Sequence, residues 1–301
     1  MKLQLIALPG AEDRADSLAT LLGVTSCVLD HRRFPDGETY LRVAGAVAGD
    51  SIAVVATLRD PDPQVPALLF LADALRELGA VRVGLIAPYL PYMRQDTRFR
   101  PGEAVTSRSF AKLVSRSFDW LVTADPHLHR YASLRALYDI PATVVDSAPA
   151  IAEWVRREVE RPAIIGPDAE SARWVAEVAR QVGCPFAVLE KHRHGDLDID
   201  QSLPDLAPLR GRTPVLVDDI IATAHSMAGA VRLLRSDGFA PPVCIGVHAL
   251  FSGDADAVLR ATGAAHVVSC NTVPHPSNAI DLVPSLAYAT RDLALHGAVM
   301  P

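Results

Sequence analysis

Two adjacent carboxylates, followed by a short segment of small and hydroxyl-bearing residues, are the side chains in this sequence best suited to chemistry. The pair is Asp218 and Asp219, and the segment after it contains Thr223, Ala224, His225 and Ser226. Neighbouring carboxylates repel a phosphate, but they suit the hydroxyls of a sugar or a metal ion. Acidic groups beside a phosphate-binding loop therefore predict a site for a phosphorylated sugar.

The elements around this segment explain why a phosphate would bind there. Residues 215–217 form a short run that is typical of a strand buried on both faces, and the strand is predicted to end at Val217. Residues 227–236 have the pattern of a helix. A loop that enters a helix offers unpaired backbone N–H groups and the positive end of the helix dipole. The alternative is that the acidic pair only marks a strand end and a helix cap.

A second segment, residues 88–106, combines basic and aromatic side chains after another predicted strand. It contains three arginines within seven residues: Arg94, Arg98 and Arg100. The planar guanidinium group suits phosphate oxygens, and Tyr92 or Phe99 could stack on a base. The pattern fits a nucleotide site, but composition alone fits a solvated basic loop equally well.

Three shorter patterns have simple structural interpretations as well as functional ones. Phe34, Asp36 and Glu38 surround an Asp-Gly turn signal, which by itself favours a β-hairpin tip. His127 and Asp168 each follow a predicted strand, where α/β proteins place ligands, although a lone histidine there is more often structural. The remaining pattern is a charged segment for which an ordinary hairpin is the simple interpretation, and it contains Lys191 and Arg193.

Taken together, these segments resemble the ribose-phosphate diphosphokinase (phosphoribosyl-diphosphate synthetase) family, whose ribose-phosphate motif is similar to that of type I phosphoribosyltransferases. The resemblance runs from Phe34 to Gly253 through separate motifs in the family order. The matching motifs are F-x-D-G-E from Phe34, P-Y-x-x-Y-x-R-Q-D from Pro88, D-x-H from Asp125, K-x-R from Lys191 and V-D-D from Val217. The chain departs from the family pattern at Ala222, where an acid is usual, at His225, where a glycine is usual, and at Gly102. Many members have an arginine in place of Gly102, near an allosteric phosphate and ADP site, so that regulation is not expected here.

The resemblance implies a reaction in which ATP and ribose 5-phosphate give 5-phosphoribosyl 1-diphosphate and AMP, for nucleotide biosynthesis, with Mg²⁺ as the cofactor. It also implies residue roles: ATP binding by Phe34, Asp36, Glu38, Arg94, Gln95 and Asp96; ribose 5-phosphate binding by Asp218, Asp219, Thr223, Ala224, His225 and Ser226; magnesium binding by His127 and Asp168; and catalysis by Lys191 and Arg193. A homo-oligomer is implied too, of the dimer or hexamer-of-dimers type, with an active site between two domains to which a neighbouring subunit contributes.

The order of predicted elements indicates an α/β fold made of two tandem, similar domains. Residues 51–87 and 214–247 both run strand, loop, helix and strand, which we interpret as a duplicated unit. Each domain is expected to be a mostly parallel sheet flanked by helices, like a type I phosphoribosyltransferase. The predicted domains are residues 1–143, on the ATP side, and residues 144–301, on the ribose 5-phosphate side, with the last helix packing back on the first domain.

Composition excludes several classes of partner and narrows the compartment. With 29 basic and 35 acidic residues, the net charge of −6 provides no basic surface for nucleic acid. The four cysteines are far apart, as expected for reduced thiols in a cytoplasmic protein. The apolar runs are too short to span a membrane.

Three other functions remain open at this point. A phosphoribosyltransferase would use the product rather than make it, and it would need only one such domain. A non-catalytic regulatory homologue is a second possibility, supported by Ala222 and His225. The third is an RNA-binding regulator, which the acidic charge balance disfavours.

Overall fold

The computed structural model describes residues 1–194, 198–202 and 206–296; the side chains of Arg173, of residues 190–202 and of residues 295–296 lie outside that description. Two compact units divide the chain. The first unit comprises Met1–Val145 and the described chain from Val283 onward, and the second is Asp146–Leu282. Which substrate each unit serves stays a prediction.

Strands and helices alternate along most of the chain. In order they are β1 (Leu3–Ala7), α1 (Glu12–Leu22), β2 (Thr25–Arg33), β3 (Thr39–Ala44), β4 (Ser51–Val55), α2 (Val65–Glu77), β5 (Arg82–Ile86), α3 (Thr106–Ser117), β6 (Trp120–Ala124), β7 (Ala142–Val145), α4 (Ala148–Glu158), β8 (Pro162–Gly166), α5 (Ala172–Val182), β9 (Phe186–Val188), β10 (Glu190–His194), β11 (Asp198–Ser202), β12 (Thr213–Ile221), α6 (His225–Ser236), β13 (Val243–Ala249), α7 (Ala255–Ala261), β14 (His266–Cys270), β15 (Asn278–Ile280) and α8 (Val283–His296). None of the described helices is long and apolar enough to cross a bilayer.

A seven-stranded sheet forms the centre of the described first unit, in the order β3-β2-β1-β4-β5-β6-β7. Its strands pair in parallel except for the antiparallel pair β2 and β3. Every residue of β4 and β6 is buried, as parallel strands covered on both faces require. Helix α8 packs on α1, β6 and β7, and the Arg291 guanidinium donates to the Leu21 carbonyl at 3.1 Å.

The second unit contains a six-stranded sheet in the order β15-β14-β13-β12-β8-β9, and all of its pairs are parallel. Its core joins the sheet to α6, with Leu216, Met227 and Leu234 all fully or almost fully buried. The charged segment after β9 forms the antiparallel hairpin of β10 and β11. Two mostly parallel sheets flanked by helices confirm the expected fold class.

The strand that leads to the acidic pair is longer than the sequence predicted. We expected it to end at Val217, but β12 continues to Ile221 because Ile220 and Ile221 pair with His248 and Ala249 of β13. Asp218 and Asp219 therefore lie inside a strand, whose neighbours fix their backbone, rather than in a free loop. Helix α6 also begins two residues before its predicted start.

Candidate active site

The turn between β12 and α6 contains the residues predicted to bind the phosphate of ribose 5-phosphate. Ala224 has the left-handed φ of 59° immediately before the helix, and its side chain is buried. His225 and Ser226 are the first two residues of α6, where backbone N–H groups have no partner within the helix. Thr223 and His225 are exposed, and Ser226 is half-buried. The turn therefore offers a phosphate backbone donors and hydroxyl groups at the positive end of a helix dipole.

Backbone hydrogen bonds from the end of β13 hold this turn in place. Leu250 and Phe251 donate their N–H groups to the Ile221 carbonyl, at 3.1 and 3.0 Å, and Ser252 donates to the Ala222 carbonyl at 2.9 Å. These bonds join backbone atoms only, so they do not require a particular side chain at Ile221 or Ala222.

His248 supports the same region from inside the sheet. It is buried, and its Nδ1 lies 2.9 Å from the Thr272 hydroxyl oxygen. That hydroxyl donates to the Val247 carbonyl at 2.8 Å, so it accepts the bond from His248, and the proton lies on Nδ1. His248 thus has a structural role.

Three carboxylates lie close together in the second unit: Asp168, Asp218 and Asp219. Burial is the main cause that raises the pKa of Asp218 well above its usual range, and the negative charges of Asp219 and Asp168 add to it. The Asp219 N–H donates to the Asp218 carboxylate at 3.0 Å. Asp168 caps a short 3-10 turn by accepting the Glu170 N–H at 3.1 Å. A divalent cation or the hydroxyls of a sugar would offset this concentration of negative charge.

In the first unit, the segment predicted to bind ATP follows β5 and is fixed by its own side chains. The Glu103 carboxylate accepts the N–H groups of Phe99 and Arg100 at 2.8 and 3.0 Å. The Arg98 guanidinium donates to the Glu103 carbonyl at 2.9 Å. These contacts close a turn beside Arg94, which is exposed.

Tyr92 precedes the arginines and has a strained backbone, with a φ of 61°. Its hydroxyl donates to the Asp62 carboxylate at 2.5 Å, and its ring packs on Phe110 at 5.0 Å. Burial, the bond to Asp62 and the charge of Asp60 raise the pKa of Tyr92 to about 12. Within this segment Arg94 is exposed, Gln95 is half-buried and Asp96 is buried. The three residues of this segment that were predicted to bind ATP therefore differ in exposure.

His127 follows β6 as predicted and is half-buried. Its Nδ1 lies 3.0 Å from Nε2 of His129, and the two rings meet edge to face. Mg²⁺ prefers oxygen ligands, whereas imidazole suits other metals. The carboxylates of the second unit fit Mg²⁺ directly, and His127 fits it better through a bound water molecule.

Phe34, Asp36 and Glu38 form the tip of the hairpin between β2 and β3, as the pattern alone favoured. The Phe34 N–H donates to the Glu38 carbonyl at 2.8 Å, and the Glu38 N–H donates to the Asp36 carboxylate at 3.2 Å. The Arg32 guanidinium lies over the rings of Phe34 and Tyr40, 4.5 and 4.2 Å from their centroids. All three predicted ATP-binding residues are exposed at this tip, and their role stays a prediction.

The two residues predicted to be catalytic, Lys191 and Arg193, lie on β10. The backbone of this strand pairs with β11, Lys191 opposite Gln201 and Arg193 opposite Ile199. Their side chains lie outside the described part of the chain, so their catalytic role stays a prediction.

Sequence reasoning missed the contacts that hold the arginine segment. Asp62 is separated from Tyr92 by thirty positions along the chain, and nothing in the sequence connects them. Glu103 received no role from the sequence, although its carboxylate accepts the N–H groups of the residues three and four positions before it. Asp62 and Glu103 thus stabilise residues 88–106, although neither was predicted to bind a substrate.

Two family models cover most of the chain. The N-terminal domain of ribose phosphate pyrophosphokinase matches residues 3–117, and the phosphoribosyl transferase domain matches residues 133–283.

Relatives of similar length are ribose-phosphate pyrophosphokinases. The chain is 35% identical over 279 residues to the ribose-phosphate pyrophosphokinase of Methanopyrus kandleri, covering 92% of this chain and 94% of the relative. It is 31% identical over 273 residues to that of Sulfolobus acidocaldarius, covering 89% and 92%. The crystal structure of phosphoribosylpyrophosphate synthetase from Mycobacterium smegmatis superposes with a TM-score of 0.88 at 28% identity, covering 99% of this chain and all of the other. This chain belongs to the ribose-phosphate pyrophosphokinase family.

Proposed function

We propose that the second unit binds ribose 5-phosphate and that the first unit binds ATP, in the reaction that this enzyme catalyses. That reaction transfers the diphosphoryl group of ATP to the anomeric hydroxyl of ribose 5-phosphate, and it gives 5-phosphoribosyl 1-diphosphate and AMP. The observation that carries the assignment of ribose 5-phosphate is the turn between β12 and α6, where an acidic pair precedes an open helix N-terminus.

The proposed roles follow from charge. Asp218 and Asp219 accept hydrogen bonds from the ribose hydroxyls, whereas the N–H groups of residues 223–226 bind the 5-phosphate. Arg94 and Gln95 bind the nucleotide, with Phe34 and the hairpin tip at its base. The sugar hydroxyl attacks the β-phosphorus of ATP and AMP leaves, so that positioning and charge stabilisation supply most of the catalysis.

Mg²⁺ is the cofactor that this chemistry needs, because a divalent ion neutralises phosphate charge when it is bound. Asp168 would hold the ion directly, and His127 would act through a water molecule bound to it. The cluster of Asp168 with Asp218 and Asp219 supports this proposal, since burial and the like charges of the other two carboxylates raise the pKa of Asp218.

Lys191 and Arg193 are proposed to stabilise charge that develops on the β-phosphoryl group and on the departing AMP. Both are cations two positions apart on one strand of the hairpin. A homo-oligomer and a cytoplasmic location complete the proposal; the four free thiols support a reducing compartment.

The direct test is release of AMP from ATP by the purified protein. We expect release only when ribose 5-phosphate and Mg²⁺ are both present, with 5-phosphoribosyl 1-diphosphate formed in equal amount. Release that is independent of ribose 5-phosphate would contradict the proposal. A phosphoribosyltransferase would instead consume 5-phosphoribosyl 1-diphosphate in the presence of a base and liberate diphosphate.

The catalytic assignment has its own test in Lys191→Ala. Loss of one preorganised donor lowers kcat by roughly 100- to 1000-fold, and the melting temperature should not change. Lys112→Ala, which removes an exposed lysine from α3, is the matched control and should keep full activity. Near-normal turnover in Lys191→Ala would contradict a catalytic role for Lys191, but it would not contradict the overall reaction.

A further inference from the structure

The carboxylate of Asp96 does not face solvent, although the sequence placed this residue among those that bind ATP. Its side chain is only 5% exposed, and one of its oxygens lies 3.3 Å from Nε of Arg130. A buried carboxylate that is paired with a cation cannot also approach the anionic phosphates of ATP without repulsion. A role other than direct contact with the phosphates therefore suits Asp96 better.

Arg130 is held from two sides but remains open to solvent. Asp96 pairs with its Nε, and the Phe99 ring lies 5.7 Å from its guanidinium carbon. Its side chain is nevertheless 57% exposed. Within the part of the chain that the structure describes, Asp96 is its one polar partner, so the Nη groups of the guanidinium are available to a ligand.

The segment that carries Arg130 is tied to the nucleotide segment at a second point. The Tyr131 hydroxyl donates to the Asp96 carbonyl at 3.1 Å, and it accepts a bond from Nε of Arg108 at 3.3 Å. Arg130 thus stands beside the residues that follow Arg94 and Gln95, and three positions after His127. All of these groups belong to the first unit.

We infer that Arg130 binds a phosphate group of ATP and that Asp96 is a positioning residue, which acts by orienting the Arg130 guanidinium. This inference rests on the proposed ATP site of the first unit. A guanidinium whose Nε side faces a buried carboxylate at 3.3 Å and whose face lies near an aromatic ring directs its planar pair of Nη donors away from both, and that pair matches two oxygens of a phosphate.

The test compares a ligand that carries phosphates with one that does not. ATP affinity is measured by calorimetry with Mg²⁺ and without ribose 5-phosphate, and adenosine affinity from its displacement of ATP. In Arg130→Met we expect ATP to bind about 10- to 100-fold more weakly, as for loss of a hydrogen bond between charged groups, and adenosine to change by less than about threefold. Arg130→Lys should recover part of the loss, because it keeps the charge without the planar fork.

Asp96→Asn separates orientation from direct contact. As a single substitution it should lower the affinity for ATP, as Arg130→Met does. When it is added to Arg130→Met, it should lower the affinity no further. Arg116→Met, which removes an exposed arginine from the last turn of α3, is the matched control and should bind both ligands normally.

Two results would overturn the inference. One is an equal loss of ATP and adenosine affinity in Arg130→Met, which would indicate a role limited to folding of the site. The other is wild-type ATP affinity in the same variant with an unchanged melting temperature. If the wild-type protein releases no AMP when it is given both substrates, it is the proposed function that fails.

Discussion

The two segments assigned to substrates are held in place in different ways. Side chains hold much of residues 88–106 of the first unit, through the Glu103 carboxylate, the Asp62 and Tyr92 bond, and the Asp96 and Arg130 ion pair, in addition to a few backbone bonds. The turn after β12 in the second unit is fixed by backbone bonds from Leu250, Phe251 and Ser252. A position that side chains determine tolerates few substitutions, whereas one that the backbone determines tolerates many.

The departures from the family pattern follow this difference. Ala222 and His225 fall in the turn whose path is set by the backbone. The side-chain-held segment keeps the motif residues Arg94 to Asp96 as well as Glu103. Gly102, the departure in that segment, has a φ of +87° and open space around it, so it lies at the tip of the turn rather than among its supports.

The largest effect is expected where the second unit does depend on side chains, at its acidic pair. Asp218→Asn should lower kcat/KM for ribose 5-phosphate at least about 100-fold, because it weakens charge-assisted bonds worth about 1.5–3 kcal/mol each. The same change should raise the melting temperature in the presence of a chelator, because burial and the neighbouring carboxylates raise the pKa of Asp218 by disfavouring its ionised form, which an amide does not have.

Asp73→Asn is the control for this pair of effects. Asp73 is exposed on α2, so neither activity nor melting temperature should change. A melting temperature that falls in Asp218→Asn would mean that the carboxylate stabilises the fold, contrary to the pKa direction.

A smaller effect is expected from the side chain that organises the first segment. Glu103→Ala removes the acceptor for the N–H groups of Phe99 and Arg100 and releases the turn. We expect KM for ATP to rise about 10-fold, the equivalent of about 1.4 kcal/mol, while KM for ribose 5-phosphate is maintained. Steady-state kinetics with each substrate varied in turn measure the difference.

Two variants bracket this result. Glu103→Gln keeps one acceptor oxygen and should show a smaller rise than Glu103→Ala. Glu77→Ala, at the exposed end of α2, should show none. If Glu103→Ala changed KM for ATP and KM for ribose 5-phosphate equally, Glu103 would not act on the ATP segment alone, and the proposed difference between the two segments would be wrong.

The contrast also explains which features the sequence could predict. The order of strands and helices, and the turn after β12, follow from local patterns of apolar and small residues, and both were predicted. The predicted end of β12 was wrong because Ile220 and Ile221 pair with His248 and Ala249 of β13. The sequence does not show such pairing directly.

Side-chain contacts between distant positions were the least predictable features. Asp96 was assigned to ATP on the basis of its motif, and its ion pair with Arg130 forms only because folding brings the loops after β5 and β6 together. Local sequence carries no signal for that pair. The position of Ala224, in a turn between a strand and a helix, was in contrast predicted from the local pattern.

The Tyr92 hydroxyl makes the side-chain-held segment sensitive to alkaline pH. Because its pKa is raised to about 12, the phenol stays neutral in the folded protein while it ionises in the unfolded chain near pH 10. The free energy of unfolding is therefore unaffected below pH 10 and falls as the pH rises from 10 to 12. Tyr92→Phe should lose about 1 kcal/mol at neutral pH but show a shallower decline in that window.

Denaturant titrations at several pH values test this sign. Tyr288→Phe, on the exposed face of α8, should follow the wild-type curve throughout. Parallel curves for Tyr92→Phe and the wild-type protein above pH 10 would contradict the shifted pKa.

The smallest effect is expected at His225, where a side chain stands in place of the usual glycine. Because the turn is positioned by the N–H groups of residues 250–252, His225→Gly should change KM for ribose 5-phosphate by less than about threefold, an energy below about 0.7 kcal/mol. Glycine in the first turn of α6 should lower stability by roughly 0.5–1 kcal/mol. A change in KM above about tenfold would show that the imidazole itself contacts the phosphate, and the turn would then depend on a side chain as much as the ATP segment does.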